Sequence, residues 1–219
     1  MNKENLVIIP VRLASTRLPN KPLAEICGKP MIQRVYEQAM QANLGEVIIA
    51  CDGEEIAATA KKFNAKCVIT DPNLPSGTDR IYSAYQAIKH QLSYQPKFII
   101  NLQGDLPTID PRVIQDAAST IAQHDCDIAT VASKIHEKSE IENPNVVKIA
   151  IAFKNSNTGR ALYFSRCPIP YSKKTDVNYF HHIGIYAYKV AALEKFVKLA
   201  PSELEQRESL EQLRALEND

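Results

Sequence analysis

The 219-residue chain carries 26 lysines and arginines against 25 aspartates and glutamates, so no chain-wide field draws it to nucleic acid or an anionic membrane, and any anion site must be a local cluster. Its length suits one large α/β domain, or one domain with a sizeable insertion, better than two small independent ones. The five cysteines, Cys27, Cys51, Cys67, Cys126 and Cys167, never fall in Cys-x-x-Cys spacing; this argues against a zinc site or disulfide framework and reads as small core residues in a reducing cytoplasm. Met1 leads into no signal-like apolar stretch and no apolar run reaches membrane-spanning length, so a soluble chain without a visible export signal and without membrane insertion is expected.

The apolar, β-branched residues 6–9 predict a first strand buried on both faces, ended by Pro10. A basic loop follows, with Arg12, Arg17 and Lys21 inside ten residues. Pro10, Pro19 and Pro22 restrict it while Ala14, Ser15 and Thr16 keep it slim, so its backbone N–H groups can join the cations around a polyphosphate. A solvated basic loop is the competing reading, but beyond the carboxyl end of a strand is where open α/β sheets bind ligands. Neither a Gly-x4-Gly-Lys-Ser/Thr loop nor a Gly-x-Gly-x-x-Gly turn is present, which weighs against kinase-like and dehydrogenase readings.

Next, Gly28-Lys29-Pro30 opens a helix to about residue 42, Val47-Ile48-Ile49-Ala50-Cys51 is a second buried strand, residues 54–63 a second helix and 67–69 a short strand. This β, α, β, α, β alternation predicts a doubly wound, mostly parallel sheet. Ser76 and Asp79 fit a capping box before a helix with an apolar stripe at Ile81, Ala84, Tyr85, Ile88 and Leu92. Arg80 opposes the helix dipole there and is better explained by a ligand phosphate or carboxylate. Phe98-Ile99-Ile100-Asn101-Leu102 predicts a central strand running into Gln103-Gly104-Asp105. Asp110 serves as the cap of the helix at Pro111, which leaves Asp105 for magnesium over phosphates.

From Asp127 the pattern changes to strands at 128–131, 146–153 and 161–164 without long helices between them, an antiparallel arm with Gly159 as a hairpin turn residue. Residues 163–171 mix aromatics, Arg166 and two prolines, suited to a dimer contact or a binding wall. Strand neighbours His181 and His182 point to opposite faces, so at most one reaches a cleft. Residues 202–216 predict a last helix, whose 208–214 run reads as a solvated face with a leucine stripe.

In order, the segments Ala14-Ser15-Thr16-Arg17-Leu18-Pro19, Lys21-Pro22-Leu23, Gly28-Lys29-Pro30-Met31-Ile32, Ser76-Gly77-Thr78-Asp79-Arg80, Gln103-Gly104-Asp105, Pro144-Asn145-Val146-Val147-Lys148, 161–166, His182-Ile183-Gly184-Ile185-Tyr186 and 208–214 resemble the 3-deoxy-manno-octulosonate (Kdo) cytidylyltransferase family over essentially the whole chain. The resemblance implies a Rossmann-like nucleotide-diphospho-sugar transferase fold in a single domain, with a nucleotide half at about 1–125 and a sugar-acid and dimerisation half at about 126–219. It implies a cytoplasmic homodimer that takes CTP and Kdo, requires magnesium, and makes CMP-Kdo for lipopolysaccharide synthesis. Arg12, Lys21 and Asp105 would be catalytic, with Asp105 the metal ligand. Arg12, Ser15, Arg17, Lys21, Arg80 and Gln103 would hold the nucleotide; Arg166, His182, Glu211 and Gln212 would hold the sugar acid.

Three departures accompany the resemblance. His181 stands where the family usually has Arg or Lys, and Leu106 where an acidic residue follows the metal aspartate. A second metal-binding aspartate is expected in a strand and helix beyond Asp219, so the residues present supply one metal carboxylate and leave a sheet edge exposed. Another sialic-acid-like or amino-Kdo acceptor, or a catalytically impaired nucleotide-binding remnant, are the alternatives.

Overall fold

The structure is a computed structural model that describes residues 4–13, 20–174 and 177–218. In chain order its elements are β1 (Asn5–Val11), β2 (Glu25–Ile26), β3 (Lys29–Pro30), α1 (Met31–Gln41), β4 (Gly45–Cys51), α2 (Glu54–Lys62), β5 (Lys66–Ile69), α3 (Gly77–Ile88), β6 (Phe98–Leu102) and α4 (Pro111–Gln123). There follow β7 (Ile128–Lys134), α5 (Lys138–Glu142), β8 (Lys148–Phe153), β9 (Gly159–Ser165), β10 (Phe180–Lys189), α6 (Val190–Phe196), α7 (Glu203–Glu208) and α8 (Leu213–Glu217). Two compact units divide the chain: Met1–Ala129 with Gly184–Val197, and Thr130–Ile183 with Lys198–Asp219.

In the first unit β5, β4, β1 and β6 lie side by side in parallel, and residues 185–189 of β10 run antiparallel to β6. Every residue of β1 is buried, as the unbroken apolar run requires of a strand covered on both faces. Leu6, Ile8, Ile48, Ala50 and Ile99 pack with Ile81 and Ala84 of α3 into one core. Pro10 does not end β1, which runs to Val11. It lies past the last β1–β6 pair, Ile8 with Asn101, where the ladder on that side has ended and its missing N–H breaks nothing.

The Gly28-Lys29-Pro30 segment does not open a helix directly. Cys27 and Gly28, at φ 48° and 73°, make the two-residue turn of the β2–β3 hairpin, and α1 starts only at Met31. Both turn residues sit in the left-handed region that this turn class demands. Arg34 of α1 donates to the carbonyls of Ile26 and Cys27 and pins the hairpin.

In the second unit β8 pairs antiparallel with β9, and His181 of β10 pairs with Lys148 of β8. Ile149, Phe164, Leu210 and Leu213 form its core. Gly159 is not the turn residue: it opens β9, and a Cβ there would come within 2.6 Å of the Ala152 carbonyl. The turn belongs to residues 154–158, closed by Lys154 N–H donating to Thr158 O and by the Asn155 side chain. The expected helix over 202–216 is broken into α7 and α8 by Ser209 at φ 52°. Its 208–214 run is not a solvated face, since Leu210, Leu213 and Arg214 are buried. Nor are the cysteines uniformly core residues: Cys51 is buried, but Cys27 and Cys167 are exposed.

Candidate active site

In the first unit, parallel neighbours β1 and β6 end on the same edge, so Arg12 and the Gln103-Gly104-Asp105 turn emerge side by side. Gly104 makes this possible, because a Cβ there would press to 3.0 Å against both the Pro10 carbonyl and the Val11 side chain. Pro10, Arg12, Ser76, Gly77, Arg80 and Gln103 line one cleft, with Val11, Leu74 and Pro75 completing its wall. Ser76 caps α3 by accepting the Asp79 N–H at 3.1 Å, while its hydroxyl donates to the Asp79 carboxylate at 2.6 Å. The cap differs from a full capping box, since the aspartate engages the hydroxyl rather than the Ser76 backbone N–H.

Arg80 is only 2% exposed. Its Nη1 donates to Thr70 Oγ1 at 2.5 Å and to the Asp71 carbonyl at 3.2 Å, and Thr70 in turn donates to the Cys51 carbonyl. Burial pulls the Arg80 pKa below the ordinary arginine value; Asp52 and Cys51 oppose that pull, while Arg12 adds to it. Two guanidinium groups lining one cleft repel each other, an arrangement that an incoming polyanion relieves. The sequence reading explained Arg80 by a ligand alone, whereas the Thr70 and Asp71 contacts show how the side chain is also seated by the protein.

Lys21 begins a short 3₁₀ turn, Lys21–Leu23, entered through Asn20 at φ 55°. Its Nζ lies 2.7 Å from Asp105 Oδ2, with 35% of the lysine and 54% of the aspartate side chain exposed. The structure therefore joins the two residues assigned to phosphate and metal. Asp52 is a contributor the sequence did not flag: its carboxylate accepts the Leu13 N–H at 3.0 and 3.1 Å, tying the residue after Arg12 to the end of β4. Ser15 and Arg17 lie outside the described residues.

Among the described residues no three acidic, His or Cys groups gather to hold a metal. One exposed carboxylate at Asp105 suits magnesium, which typically keeps several waters and relies on substrate phosphates beside one or two carboxylates. That fit is conditional on a nucleotide being in the cleft.

In the second unit, Ser165, Lys148 and His181 sit level on β9, β8 and β10, so the following residues, Arg166 and His182, are brought to the same end of the strands. Arg166 spans the turn before β8 and the end of α7: Nε donates to the Glu208 carbonyl at 2.7 Å, Nη1 to Pro144 O at 2.9 Å and Nη2 to Ser209 O at 3.2 Å. The Glu208 carboxylate accepts from Ser165 Oγ and the Arg166 N–H. Three of the five guanidinium N–H donors are committed, which leaves two for a ligand. Glu208, 42 residues away from Arg166, had no local signal in the sequence.

His182 is buried, with Nε2 2.9 Å from Thr130 Oγ1, Nδ1 3.5 Å from Gln212 Nε2, and the ring edge-on to Phe164. Burial, helped by His181, depresses its pKa to about 3. A neutral imidazole offers one donor and one acceptor, which suits a hydroxyl and an amide. Glu211 and Gln212 are half-buried in the turn between α7 and α8. His182 and Gln212 thus meet, and Arg166 follows the end of β9, which lies beyond β8 from β10.

The depressed His182 pKa has a definite pH consequence. Between about pH 6.5 and pH 3 the unfolded chain binds a proton at this position that the folded chain refuses. Stability is therefore full above the unfolded pKa and falls as the pH drops toward the folded one. From pH 7 to pH 5 the loss from this group is about 2 kcal/mol. Urea unfolding across that range should show a shallower pH dependence for His182→Gln than for the wild type, and equal slopes would remove His182 from the account.

The cytidylyltransferase family pattern matches residues 6–219. A curated 3-deoxy-manno-octulosonate cytidylyltransferase of Bradyrhizobium sp. is 50% identical over 97% of this chain and 84% of its own length. Those of Bartonella henselae and Parvibaculum lavamentivorans are 49% and 47% identical, covering 100% and 97% of this chain and 88% and 80% of their own lengths. The chain belongs to the 3-deoxy-manno-octulosonate cytidylyltransferase family. A solved structure of CMP:2-keto-3-deoxy-manno-octonic acid synthetase complexed with CTP superposes with a TM-score of 0.88 at 38% identity, covering 98% of this chain and 86% of that one. A cytidylyltransferase from Leptospira borgpetersenii, at 15% identity and a TM-score of 0.57, shares the fold. Membership accounts for a nucleotidyltransferase architecture in which the parallel strands deliver their loops to one cleft, as the sequence alternation predicts. No helix of the described residues is long and apolar enough to cross a membrane.

Proposed function

We propose that the chain transfers CMP from CTP to the anomeric hydroxyl of Kdo and releases pyrophosphate. The observation that carries this reading is the convergence of Arg12, Arg80, Gln103 and the capped start of α3 on one cleft beside the Lys21–Asp105 pair. Arg12, Arg80 and the N–H groups at the start of α3 bind and orient the triphosphate. Ser15 and Arg17 join them by the family pattern. Lys21 meets the charge that develops at the α-phosphate and on the departing pyrophosphate. Asp105 would hold magnesium, whose chemistry when bound is to neutralise phosphate oxygens.

The two uncommitted N–H donors of Arg166 suit the sugar carboxylate. Gln212 serves the sugar hydroxyls with Glu211 beside it, and His182, held neutral between Thr130 and Gln212, positions that amide in the sugar-acid site. The product, CMP-Kdo, would be made in the cytoplasm for lipopolysaccharide assembly. A homodimer is part of the same proposal, supported by Phe153, Leu162 and Tyr171, large apolar side chains left exposed in the second unit; a solution mass of one chain would remove it.

Pyrophosphate release followed with each component omitted in turn tests the reaction. Release is expected only with CTP, magnesium and Kdo together. Turnover with a sialic-acid-like or amino-Kdo acceptor but not with Kdo would reassign the acceptor, and CTP binding without turnover on any of them would leave only a binding role.

A further inference from the structure

Cys51 closes β4 and Cys67 lies on the neighbouring β5, with their sulfurs 3.1 Å apart. In the β4–β5 register Cys67 is level with Ile49, and Cys51 with Ile69, so the two thiols meet diagonally across the same face. The contact is linked to the cleft through Thr70. Thr70 follows β5 immediately and hangs on Cys51 through two bonds to one carbonyl, from its backbone N–H and its hydroxyl, each at 2.8 Å. The same hydroxyl oxygen accepts Nη1 of Arg80. A displacement of β5 along β4 is therefore transmitted through Thr70 to a cleft-lining cation.

We propose that Cys51 and Cys67 form an oxidisable dithiol whose disulfide unseats Arg80 and weakens nucleotide binding. The sulfurs need to approach by about 1 Å to reach bonding distance. Among the described residues β5 is the four-residue edge strand of the parallel set, paired on one side only by β4, so it is the element able to slide. Half-exposed Cys67 gives an oxidant access that fully buried Cys51 lacks. The S–H of Cys67 donating to Cys51 lowers the Cys51 pKa and raises that of Cys67, so Cys51 is the attacking thiolate and Cys67, on the exposed side where the oxidant enters, is the resolving thiol.

A hydroperoxide is the oxidant class required. One thiolate attacks the peroxide, the O–O bond breaks, and a sulfenic acid forms as an alcohol or water leaves. The second thiol then displaces hydroxide from the sulfenic sulfur, its proton departing with that hydroxide as water. Two electrons pass from the two sulfurs to the peroxide oxygens, and a dithiol reductant reverses the change.

The nucleotide part of the proposal rests on the CTP reading above, so the test separates the two. In the full chain carrying Cys27→Ser, Cys126→Ser and Cys167→Ser, hydrogen peroxide treatment should lower the intact mass by about 2 Da and remove both titratable thiols. Hydrogen exchange in residues 70–80 should rise on oxidation and return on reduction, a readout independent of any ligand. CTP binding by the oxidised form should be roughly fivefold weaker than by the reduced form, with no such reversible change in the same background bearing Cys67→Ser. Two free thiols after treatment, or a disulfide with unchanged exchange over 70–80, overturns the proposal. Absence of CTP binding by the reduced form counts against the CTP reading instead, while mass and exchange still decide the dithiol.

Discussion

Lys21→Ala is expected to lower kcat by about two to three orders of magnitude while leaving folding stability within roughly 1 kcal/mol of wild type. The two halves of this expectation have different sources. The Lys21–Asp105 bridge is short but solvent-exposed on both sides, and exposed ion pairs of that kind contribute at most about 1 kcal/mol to the fold. A weak bridge is a useful one at this position, because both partners can exchange each other for substrate at little energetic cost: the ammonium for a phosphate oxygen, the carboxylate for a metal ion. In transition from bound CTP to departing pyrophosphate, charge grows on oxygens that a fixed cation can meet, and an interaction made mainly in the transition state appears in kcat rather than KM. Asp105→Asn should show the complementary signature, a large fall in activity at ordinary magnesium that is partly restored by raising the metal concentration. Steady-state pyrophosphate release with thermal unfolding on the same samples checks both. A Lys21→Ala enzyme within a few-fold of wild type would refute the assignment of charge stabilisation to this lysine.

Much of this cleft was legible because local signals coincide with the fold. The runs at 6–9, 47–51 and 98–102 are apolar on both faces, and only buried parallel strands accommodate that over so few residues. Once they are placed, their carboxyl ends bring Arg12 and Asp105 to one edge, and Ser76 marks the helix start that completes the cleft. What was not legible depends on contacts distant in the chain or on unusual backbone. The Cys27–Gly28 turn resembled a helix entry because Pro30 suits either role, and Ser209 carries no glycine to announce the left-handed break between α7 and α8. Arg166 was assigned to the sugar acid; its three backbone acceptors come from Pro144, Glu208 and Ser209, none of them near it in sequence. Asp52 likewise resembled a simple strand end, because its partner at Leu13 is 39 residues earlier.

The buried pair in the second unit gives the largest expected change in stability. Arg214 Nε and Nη2 donate to the two Glu205 carboxylate oxygens at 2.7 and 2.6 Å, with side-chain exposures of only 8% and 14%. The same carboxylate accepts the Ser202 N–H at the start of α7. Burial pushes the Glu205 pKa up, but Arg214 and the Ser202 N–H outweigh it and hold the carboxyl below its ordinary value. Glu205→Ala leaves the guanidinium buried without its carboxylate and frees the cap of α7, so a destabilisation of about 3–5 kcal/mol is expected. For a chain of this size that corresponds to a fall in Tm of roughly 6–20 °C. A double replacement, Glu205→Leu with Arg214→Met, removes both charges and fills similar volume, and should recover most of the loss. The asymmetry between single and double variants separates the penalty of a buried arginine that has lost Glu205 from any intrinsic worth of the bridge. Urea unfolding of the three proteins measures it directly; a Glu205→Ala loss below about 1 kcal/mol would mean that water reaches Arg214 and that the turn holding Glu211 and Gln212 does not depend on this pair.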